Sequence, residues 1–280
     1  MRYVIGIGEA LWDVFPDGAQ LGGAPANFAF HAARCGFKSL AISSLGQDAL
    51  GDETLAAFSK KELNVLMPRV DFPTGTVQVS LDAKGVPSYN ICEGVAWDNM
   101  PFTSEMQSVA QSCLAVCWGS LAQRSAVSRN TINRFLDSVP ADALKVFDIN
   151  LRQHYFTKEI IEQSLYRCNI LKINDEEWGT VQSLLNLPSD TLQATSKALM
   201  ERYNIEIVVL TCGTEGSHVF TTSESSFLPT PRVTVVDTVG AGDSFTAAFV
   251  SAILEGKTIK ESHQQAVTVS AQTCTHPGAM

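Results

Sequence analysis

The sequence predicts an α/β protein with a mainly parallel central β-sheet, helices on both faces of that sheet, and a small β-sheet flap. Apolar, β-branched runs such as Ile207–Leu210 are typical of strands buried on both faces. Helical patterns separate most of these runs, as expected for β-α-β units. Thr74–Asp82 instead alternates polar and apolar residues, which indicates a half-exposed strand.

The same patterns give each element in order. The predicted buried strands are Tyr3–Ile7, Ser39–Leu45, Leu114–Trp118, Lys145–Ile149, Ile170–Ile173 and Ile207–Thr211. The predicted helices between them are Pro25–Cys35, Gly51–Leu63, Ser125–Ser138, Thr157–Tyr166, Asp175–Leu185 and Asp190–Tyr203. A hairpin of Gly216–Phe220 with Ser226–Leu228 and helices over Asp243–Leu254 and Ile259–Thr275 complete the set.

Two segments interrupt this order and predict the flap, over about residues 12–21 and 72–98. Thr74–Asp82 and Val86–Cys92 flank a short turn sequence, which predicts a hairpin. Trp12–Leu21 lacks helical periodicity and could supply another strand. We expect residues 1–280 to form one domain carrying this flap, which would act as a lid.

Composition narrows the class of protein. The chain of 280 residues has a formal net charge of −9, which disfavours binding to a nucleic-acid backbone. Seven scattered cysteines, an odd number, suggest reduced thiols. No signal-like segment opens the sequence, and it contains no apolar run long enough to span a bilayer. We therefore expect a cytoplasmic protein that has neither a membrane span nor a nucleic-acid partner.

The strongest local pattern is Gly240-Ala241-Gly242-Asp243, between an apolar strand end and an amphipathic segment. Glycines at such a turn let successive amides face one concavity, and a helix N-terminus adds positive potential. Asp243 in this position suits a base that accepts a proton from an attacking hydroxyl. It could equally cap the helix. The pattern is neither a P-loop nor a dinucleotide-binding motif.

Two further segments suggest a ligand site. Asp13 follows the first strand, at the sheet edge where open α/β proteins bind ligands, although an aspartate there is often only a turn residue. Gly22 and Gly23 allow a close backbone approach to a ligand. Asn27 can both donate and accept hydrogen bonds, or it could lie on a solvated helix face.

Five motifs occur in order along the chain: GGAPAN at 22–27, DINLR at 148–152, KIN at 172–174 followed by Glu177, TCGTEG at 211–216 and DTVGAGD at 237–243. On these motifs the sequence resembles the ribokinase-like sugar kinases of the PfkB family, most of all the fructokinases, over nearly its whole length. The DTV sequence departs from the more usual DTT at a position expected to offer only a carbonyl.

The resemblance implies a role for each candidate residue. Asp243 would be the catalytic base, assisted by the Gly240, Ala241 and Gly242 amides and by Arg152, although Arg152 could instead pair with Asp148. The sugar would contact Asp13, Gly22, Gly23 and Asn27. ATP would contact Lys172, Asn174, Thr211, Gly213, Gly216, Gly240 and Gly242.

Metal roles are implied in the same way. Asn174 and Glu177 would organise water around Mg²⁺, while Asp175 and Glu176 could merely cap or solvate the helix. The Asp237 and Val239 carbonyls would hold a monovalent cation such as K⁺.

The function expected from the resemblance is phosphorylation of a sugar by ATP, with fructose as the first choice. Ribose, 2-keto-3-deoxygluconate or a nucleoside are alternatives, since one scaffold can serve several substrates. The flap sequence offers only Lys84 as a cation, which favours a neutral sugar. A non-catalytic sensor is less well supported, because Asp243 and the glycines are present. A NAD-dependent enzyme is also disfavoured, because this sequence has no Gly-x-Gly-x-x-Gly motif after its first strand. Pairing of two half-exposed flaps predicts a homodimer.

Overall fold

The computed structural model describes residues 2–15, 18–81 and 87–280. The chain separates into two compact units. The first contains Met1–Cys113, Ala122–Pro140 and Met280, and the second contains Leu114–Leu121 and Ala141–Ala279.

The first unit has strands β1 to β9 and helices α1 to α4. Its strands are β1 (Tyr3–Ile7), β2 (Leu11–Phe15), β3 (Gly18–Gly22), β4 (Ser39–Ile42), β5 (Leu45–Gly46), β6 (Val65–Leu66), β7 (Arg69–Val70), β8 (Gly75–Leu81) and β9 (Pro87–Ile91). Its helices are α1 (Ala24–Arg34), α2 (Ala49–Lys60), α3 (Ser104–Ala110) and α4 (Ala126–Ser138), with a 3₁₀ turn at Ala96–Asn99.

Parallel pairing builds the interior of this unit. Strand β4 pairs in parallel with β1 and with β6, and β5 pairs in parallel with β7. Small residues of α1, including Ala26 and Ala29, pack with Leu45, Phe58 and Met67 in one apolar cluster. Their burial removes apolar surface from water and so stabilises this unit.

The flap is a four-stranded sheet in the order β3-β2-β8-β9. The β8–β9 pair is antiparallel, which confirms the predicted hairpin. Trp12–Leu21 supplies two antiparallel strands rather than one, and β2 also pairs in parallel with β8. Residues 16–17 and 82–86, with the predicted turn and Lys84, lie outside the described residues. That the flap acts as a lid or as a dimer contact stays a prediction.

The second unit has strands β10 to β15 and helices α5 to α9. Its strands are β10 (Cys113–Trp118), β11 (Leu144–Asp148), β12 (Ile170–Asn174), β13 (Ile207–Thr211), β14 (Ser217–Thr221) and β15 (Ser225–Leu228). Its helices are α5 (Lys158–Leu165), α6 (Asp175–Leu185), α7 (Leu192–Tyr203), α8 (Ala241–Leu254) and α9 (Ile259–Thr273).

Strands β10 to β13 are parallel neighbours, and β14 and β15 continue antiparallel at the edge. The parallel strands are buried almost throughout, as their near-continuous apolar sequences predict. The mainly parallel α/β architecture with an added small sheet is therefore confirmed.

Two differences from the predicted elements matter. Helix α8 begins at Ala241, not Asp243, because Gly240 occupies the capping position. Helix α3 was not predicted, because its seven residues are too few to show a clear helical period. Its first turn is capped by the Thr103 side chain, which accepts a hydrogen bond from the Met106 amide.

Candidate active site

The N-terminus of α8 forms a turn suited to an anion. Gly240 has φ of 78°, and a Cβ there would lie 2.6 Å from the Ala279 Cβ, so only glycine fits. Gly240, at the capping position, has no side chain that could cap the first turn. The turn therefore presents backbone amides and the positive end of the helix dipole to any ligand beside it.

Asp243 lies in this first turn. The capping position belongs to Gly240, so the structure does not support the alternative that Asp243 serves as the N-cap. A carboxylate beside an anion-binding turn repels a bound anion and so weakens its binding. This unfavourable position is expected if the carboxylate serves to accept a proton from the attacking hydroxyl.

A buried ion pair lies close to this turn. The Lys172 ammonium is 3.1 Å from Asp148 Oδ1, and both side chains are about nine-tenths buried. Thr246, on α8, donates a hydrogen bond to the other Asp148 oxygen at 3.1 Å. A Cβ at Gly242 would lie 3.1 Å from Lys172 Nζ, so the ammonium sits directly against the glycine turn.

Lys172 remains charged in this setting. Desolvation on burial lowers its pKa, but the negative charges of Asp148, Glu177 and Asp243 outweigh that effect and raise the pKa. Asp148 therefore pairs with Lys172, rather than with Arg152 as the alternative interpretation of the DINLR motif would have it.

Glu177 occupies the third position of α6 and faces inward. It is 6 % exposed, whereas the neighbouring Asp175 and Glu176 are exposed. Its Oε2 accepts the Asn174 amide at 3.0 Å, and Asn174 Oδ1 accepts the Glu177 amide at 2.8 Å, which is a capping box. Burial raises the Glu177 pKa, and the Lys172 charge partly opposes that shift.

Arg152 lies in the loop after β11. Its side chain is exposed, and its Nη1 donates to the carbonyl of Leu151 at 3.1 Å. The Leu151 amide in turn donates to Glu177 Oε1 at 2.8 Å. The DINLR motif thus divides: Asp148 is part of the buried ion pair, and Arg152 is on the surface.

A cavity of about 890 Å³ opens beside this cluster within the second unit. Its volume is within the usual range for a small-molecule site. Its apolar wall includes Val235, Phe245, Val267 and Ala271. Its lining also contains Lys172, Asn174, Thr211, Gly213, Gly216 and Gly242, all of which the sequence predicts to contact nucleotide. Gly240, Asp243, Arg152 and Glu177 are not among its lining residues.

The predicted sugar residues lie together in the first unit. Asp13 is on β2, and Gly22 ends the neighbouring strand β3. A Cβ at Gly22 would come within 3.0 Å of Asp13 Oδ2. Gly23 caps α1 with φ of 124°, and a Cβ there would lie 2.5 Å from the Glu9 carbonyl oxygen. Asn27 is only 4 % exposed, so it does not lie on a solvated helix face.

The sequence matches a known protein family over most of its length. The family model described as pfkB family carbohydrate kinase matches residues 17–280. The chain belongs to the pfkB family of carbohydrate kinases.

Individual relatives agree with this assignment. The kinase is similar to a fructokinase of Salmonella typhimurium, 28% identical over 283 residues that cover 96% of this chain and 90% of the relative. An ATP-dependent 6-phosphofructokinase of Thermoanaerobacterium thermosaccharolyticum is 26% identical over 266 residues, which cover 92% of this chain and 80% of the relative. Among solved structures, an uncharacterized sugar kinase from Pyrococcus horikoshii superposes with a TM-score of 0.84 at 25% identity, covering 99% of this chain and 93% of that one.

The donor set of this kinase fits a metal ion held indirectly. Within residues 2–15, 18–81 and 87–280, no cluster of His, Cys, Asp or Glu side chains could enclose a metal ion. The Glu177 oxygens already accept backbone amides, although a carboxylate can accept further bonds from water. Mg²⁺ commonly binds through substrate phosphates and retained water, which suits this arrangement.

The loop before α8 is tied to the segment that follows α9. Asp237 Oδ1 accepts the Val239 amide at 3.0 Å, and Asp237 Oδ2 accepts the Gly278 amide at 2.9 Å. The Asp237 amide donates to the carbonyl of Cys274. The Asp237 side chain therefore shapes the loop whose carbonyls were predicted to hold a monovalent cation.

Sequence reasoning did not assign roles to several residues of this site. Asp148 was recognised within its motif but not as the partner of Lys172, and Thr246 was not identified. Thr246 could have been identified from its spacing, because it lies one helical turn after Gly242 and so on the same face of α8. The apolar residues Phe245 and Val267 carry no such signal, because they resemble any other core residue, and Val235 is an exposed valine in a loop without a periodic pattern. Across the described part of the chain, no helix is long and apolar enough to cross a membrane.

Proposed function

We propose that this carbohydrate kinase transfers the γ-phosphoryl group of ATP to a hydroxymethyl group of a neutral sugar, with fructose as the first candidate. One observation carries the proposal. The first turn of α8, which begins after Gly240, places Asp243 immediately after Gly242, and Gly242 lines the cavity of about 890 Å³ beside Lys172. This arrangement combines an anion-binding turn with a base.

ATP as the donor is supported by the cavity and by a relative. The cavity is lined by apolar residues that suit a base and by polar groups, including Lys172 and Thr211, that suit phosphates and ribose. The P. horikoshii sugar kinase, 25% identical, has a crystal structure in complex with ATP and a TM-score of 0.81. Lys172, Asn174, Gly216, Gly240 and Gly242 are proposed as further contacts.

The proposed reaction is an in-line transfer. Asp243 accepts the proton of the sugar hydroxyl, whose oxygen forms a bond to the γ-phosphorus while the bond from that phosphorus to the β–γ bridging oxygen breaks, leaving ADP. The Gly240 and Gly242 amides and the positive charge of Arg152 stabilise the negative oxygens, and the Ala241 amide holds the turn by donating to the Thr238 carbonyl. Mg²⁺, when bound, would neutralise phosphate charge, and Asn174 and Glu177 would orient its water.

A monovalent cation is proposed to bind at the loop before α8. The loop at Asp237–Val239 is held by side-chain hydrogen bonds and has backbone carbonyls that could bind K⁺. Of the three carbonyls in this loop, only that of Thr238 accepts a hydrogen bond from a described protein group, the Ala241 amide. The Asp237 and Val239 carbonyls are therefore the proposed ligands.

The sugar is proposed to contact Asp13, Gly22, Gly23 and Asn27. An aspartate and a buried asparagine can bind neighbouring hydroxyls in complementary directions. Fructose is favoured because several curated relatives are named fructokinase, including those of Salmonella typhimurium and Klebsiella pneumoniae, at 28% and 27% identity.

Fructose 6-phosphate is a second candidate, because the 6-phosphofructokinase of T. thermosaccharolyticum is 26% identical over 92% of this chain. A phosphorylated sugar requires cationic side chains to receive its phosphate. The flap sequence from 72 to 100 contains one lysine and no arginine, which favours the neutral sugar.

The deciding experiment measures ADP release by the purified kinase with ATP and Mg²⁺. The acceptors are fructose, fructose 6-phosphate, ribose, glucose, 2-keto-3-deoxygluconate and adenosine. Turnover on fructose well above the others supports the proposal in full. Turnover on another acceptor retains the reaction and rejects fructose. Bound ATP with no turnover on any acceptor argues against catalysis of these sugars and in favour of a sensor.

A further inference from the structure

Asp148 and Lys172 are neighbours across two parallel strands. Their Cα atoms are register partners near the carboxyl ends of β11 and β12, so both side chains lie on the same face of the sheet. Asp148 is the hydrogen-bonding partner of the ammonium in the described part of the chain, at 3.1 Å through Oδ1. An ammonium has three N–H groups, so two of them remain for a ligand in the cavity that Lys172 lines.

Thr246 binds the other oxygen of this carboxylate. Its hydroxyl, on α8, donates to Asp148 Oδ2 at 3.1 Å and also reaches the carbonyl of Gly242, one turn earlier in the helix, at 3.0 Å. Thr246 and Asp148 are 3 % and 6 % exposed, so water has little access to either group. Because the carboxylate is bound through both oxygens, the hydroxyl helps to determine where Oδ1, and with it the ammonium, lies.

Gly242 completes this network. A Cβ at Gly242 would lie 3.1 Å from Lys172 Nζ, so the ammonium can approach the first turn of α8 because this residue has no side chain. The carbonyl of the same glycine accepts the Thr246 hydroxyl. The contacts therefore run from Gly242 through Thr246, Asp148 and Lys172 and return to Gly242, which lines the cavity.

We propose that Thr246 is a positioning residue for nucleotide binding: through Asp148 it holds the Lys172 ammonium beside the first turn of α8, where it can bind a phosphate oxygen. A lysine side chain has a flexible stem, and fixing it before the ligand arrives removes part of the entropic cost of binding. The inference rests on the proposed function, in which Lys172 contacts ATP. It adds a residue that does not itself touch the nucleotide.

Thr246→Val tests this role, because valine has nearly the same shape as threonine but no hydroxyl. The measurement is calorimetric titration with a non-hydrolysable ATP analogue and Mg²⁺. We expect Kd to increase by about 10-fold, as is typical when one hydrogen bond to a charged group is lost. Thr246→Ser retains the hydroxyl and should keep Kd within about 2-fold of the natural value. Thr246→Ala also lacks the hydroxyl and gives the same comparison if valine prevents folding.

A second background shows whether the effect acts through the ammonium. Lys172→Gln removes the positive charge and keeps an N–H donor for Asp148. In that background Thr246→Val should change Kd by less than about 2-fold, because no ammonium is left to position.

Thr195→Val is the matched control. Thr195 is also a fully buried helical threonine, and its hydroxyl contacts both the Thr191 carbonyl, one turn earlier, and the Pro188 carbonyl. It lies on α7 and is not among the residues that line the cavity. Thr195→Val should lose stability in urea, as Thr246→Val does, and should retain the natural affinity for the ATP analogue.

The inference is wrong if the folded Thr246→Val variant binds the analogue normally, or if Thr246→Ser binds as weakly as Thr246→Val. It is also wrong if Thr246→Val weakens binding equally in the natural and Lys172→Gln backgrounds, or if Thr195→Val weakens binding to the same degree. If the natural protein does not bind the ATP analogue, the proposed function fails together with the inference. If the natural protein binds it and phosphorylates a sugar, any of the first four results rejects only the inference.

Discussion

At the scale of single residues, the charge pattern around Lys172 defines the site. Three carboxylates, those of Asp148, Glu177 and Asp243, act on this one buried ammonium and keep it charged despite desolvation. Counted formally, the group is negative, so a nucleotide that has already bound Mg²⁺ is a better electrostatic match than the free polyanion. If the proposed ATP site is correct, the metal-bound form of ATP is the form that should bind there.

Replacing Asp243 by asparagine tests the base directly. Asparagine preserves the size of the side chain but cannot accept a proton, so kcat should decrease by about 100-fold or more while ATP binding is retained. The measurements are steady-state turnover and calorimetric titration with ATP. Glu105→Gln is the control, because it also removes a carboxylate from the first turn of a helix and should leave turnover unchanged. Near-normal turnover of Asp243→Asn would refute the assignment.

His263 gives a prediction about pH. Its Nε2 lies 2.8 Å from Ser217 Oγ and its Nδ1 lies 2.9 Å from Ser226 Oγ, and burial lowers its pKa to about 4 from 6.5. The stability contributed by the neutral ring is fully present above pH 6.5 and is lost as pH falls toward 4. From pH 7.5 to 5 this should cost about 2 kcal/mol in the free energy of unfolding.

Urea unfolding of the natural protein and of His263→Gln across this range measures the effect. The variant should start less stable at pH 7.5 and should lose about 2 kcal/mol less on acidification. His154→Gln, which replaces an exposed histidine, is the control and should follow the natural protein. A slope for His263→Gln equal to that of the natural protein would contradict the prediction.

At the scale of elements, the sequence was most informative where a pattern was long or chemically specific. The parallel strands were predicted from apolar runs, and the β8–β9 hairpin from alternation. The start of α8 was misplaced by two residues because the glycine that caps it has no side chain to identify it. The pairing of β2 with β8 could not be predicted, since these strands are far apart in the sequence and no local pattern encodes their register.

The first turn of α2 provides a test of how the flap is anchored. Asp48 Oδ1 accepts the Gly51 amide and the Thr74 hydroxyl, and Asp48 Oδ2 accepts the Thr74 amide just before β8. Although partial burial raises the pKa of Asp48, these hydrogen bonds and the Arg69 charge bring it below its usual value. Its stabilising effect is therefore present above pH 3.8 and is lost as pH falls through the lowered pKa.

Asp48→Ala should lose both the helix cap and the acceptors for Thr74. Together these predict a decrease of about 2–3 kcal/mol in the free energy of unfolding at pH 7. Thr103→Ala is the matched control, because it removes a helix cap with no second partner strand and should cost about 1 kcal/mol. Equal losses in the two variants, by urea unfolding, would show that Asp48 does no more than cap α2.

At the scale of the whole molecule, the predicted ligands divide between the two units. The residues proposed to bind sugar belong to the first unit, and the cavity proposed to bind nucleotide belongs to the second. The net charge of −9 gives no general attraction for a phosphate compound, so nucleotide affinity must come from local groups such as Lys172 and the first turn of α8. Each ligand should therefore protect a different set of backbone amides from exchange.

Hydrogen–deuterium exchange with one ligand at a time measures this protection. A non-hydrolysable ATP analogue with Mg²⁺ should slow exchange in peptides covering 211–217 and 267–274, because these segments line the cavity. Fructose alone should slow exchange around 11–15 and 22–30. Asp13→Asn should remove this effect of fructose and leave the slowing caused by the ATP analogue unchanged. Protection of 267–274 by fructose, with no change at 11–15 or 22–30, would place the sugar in the cavity assigned to ATP and reverse the proposed division of the two substrates.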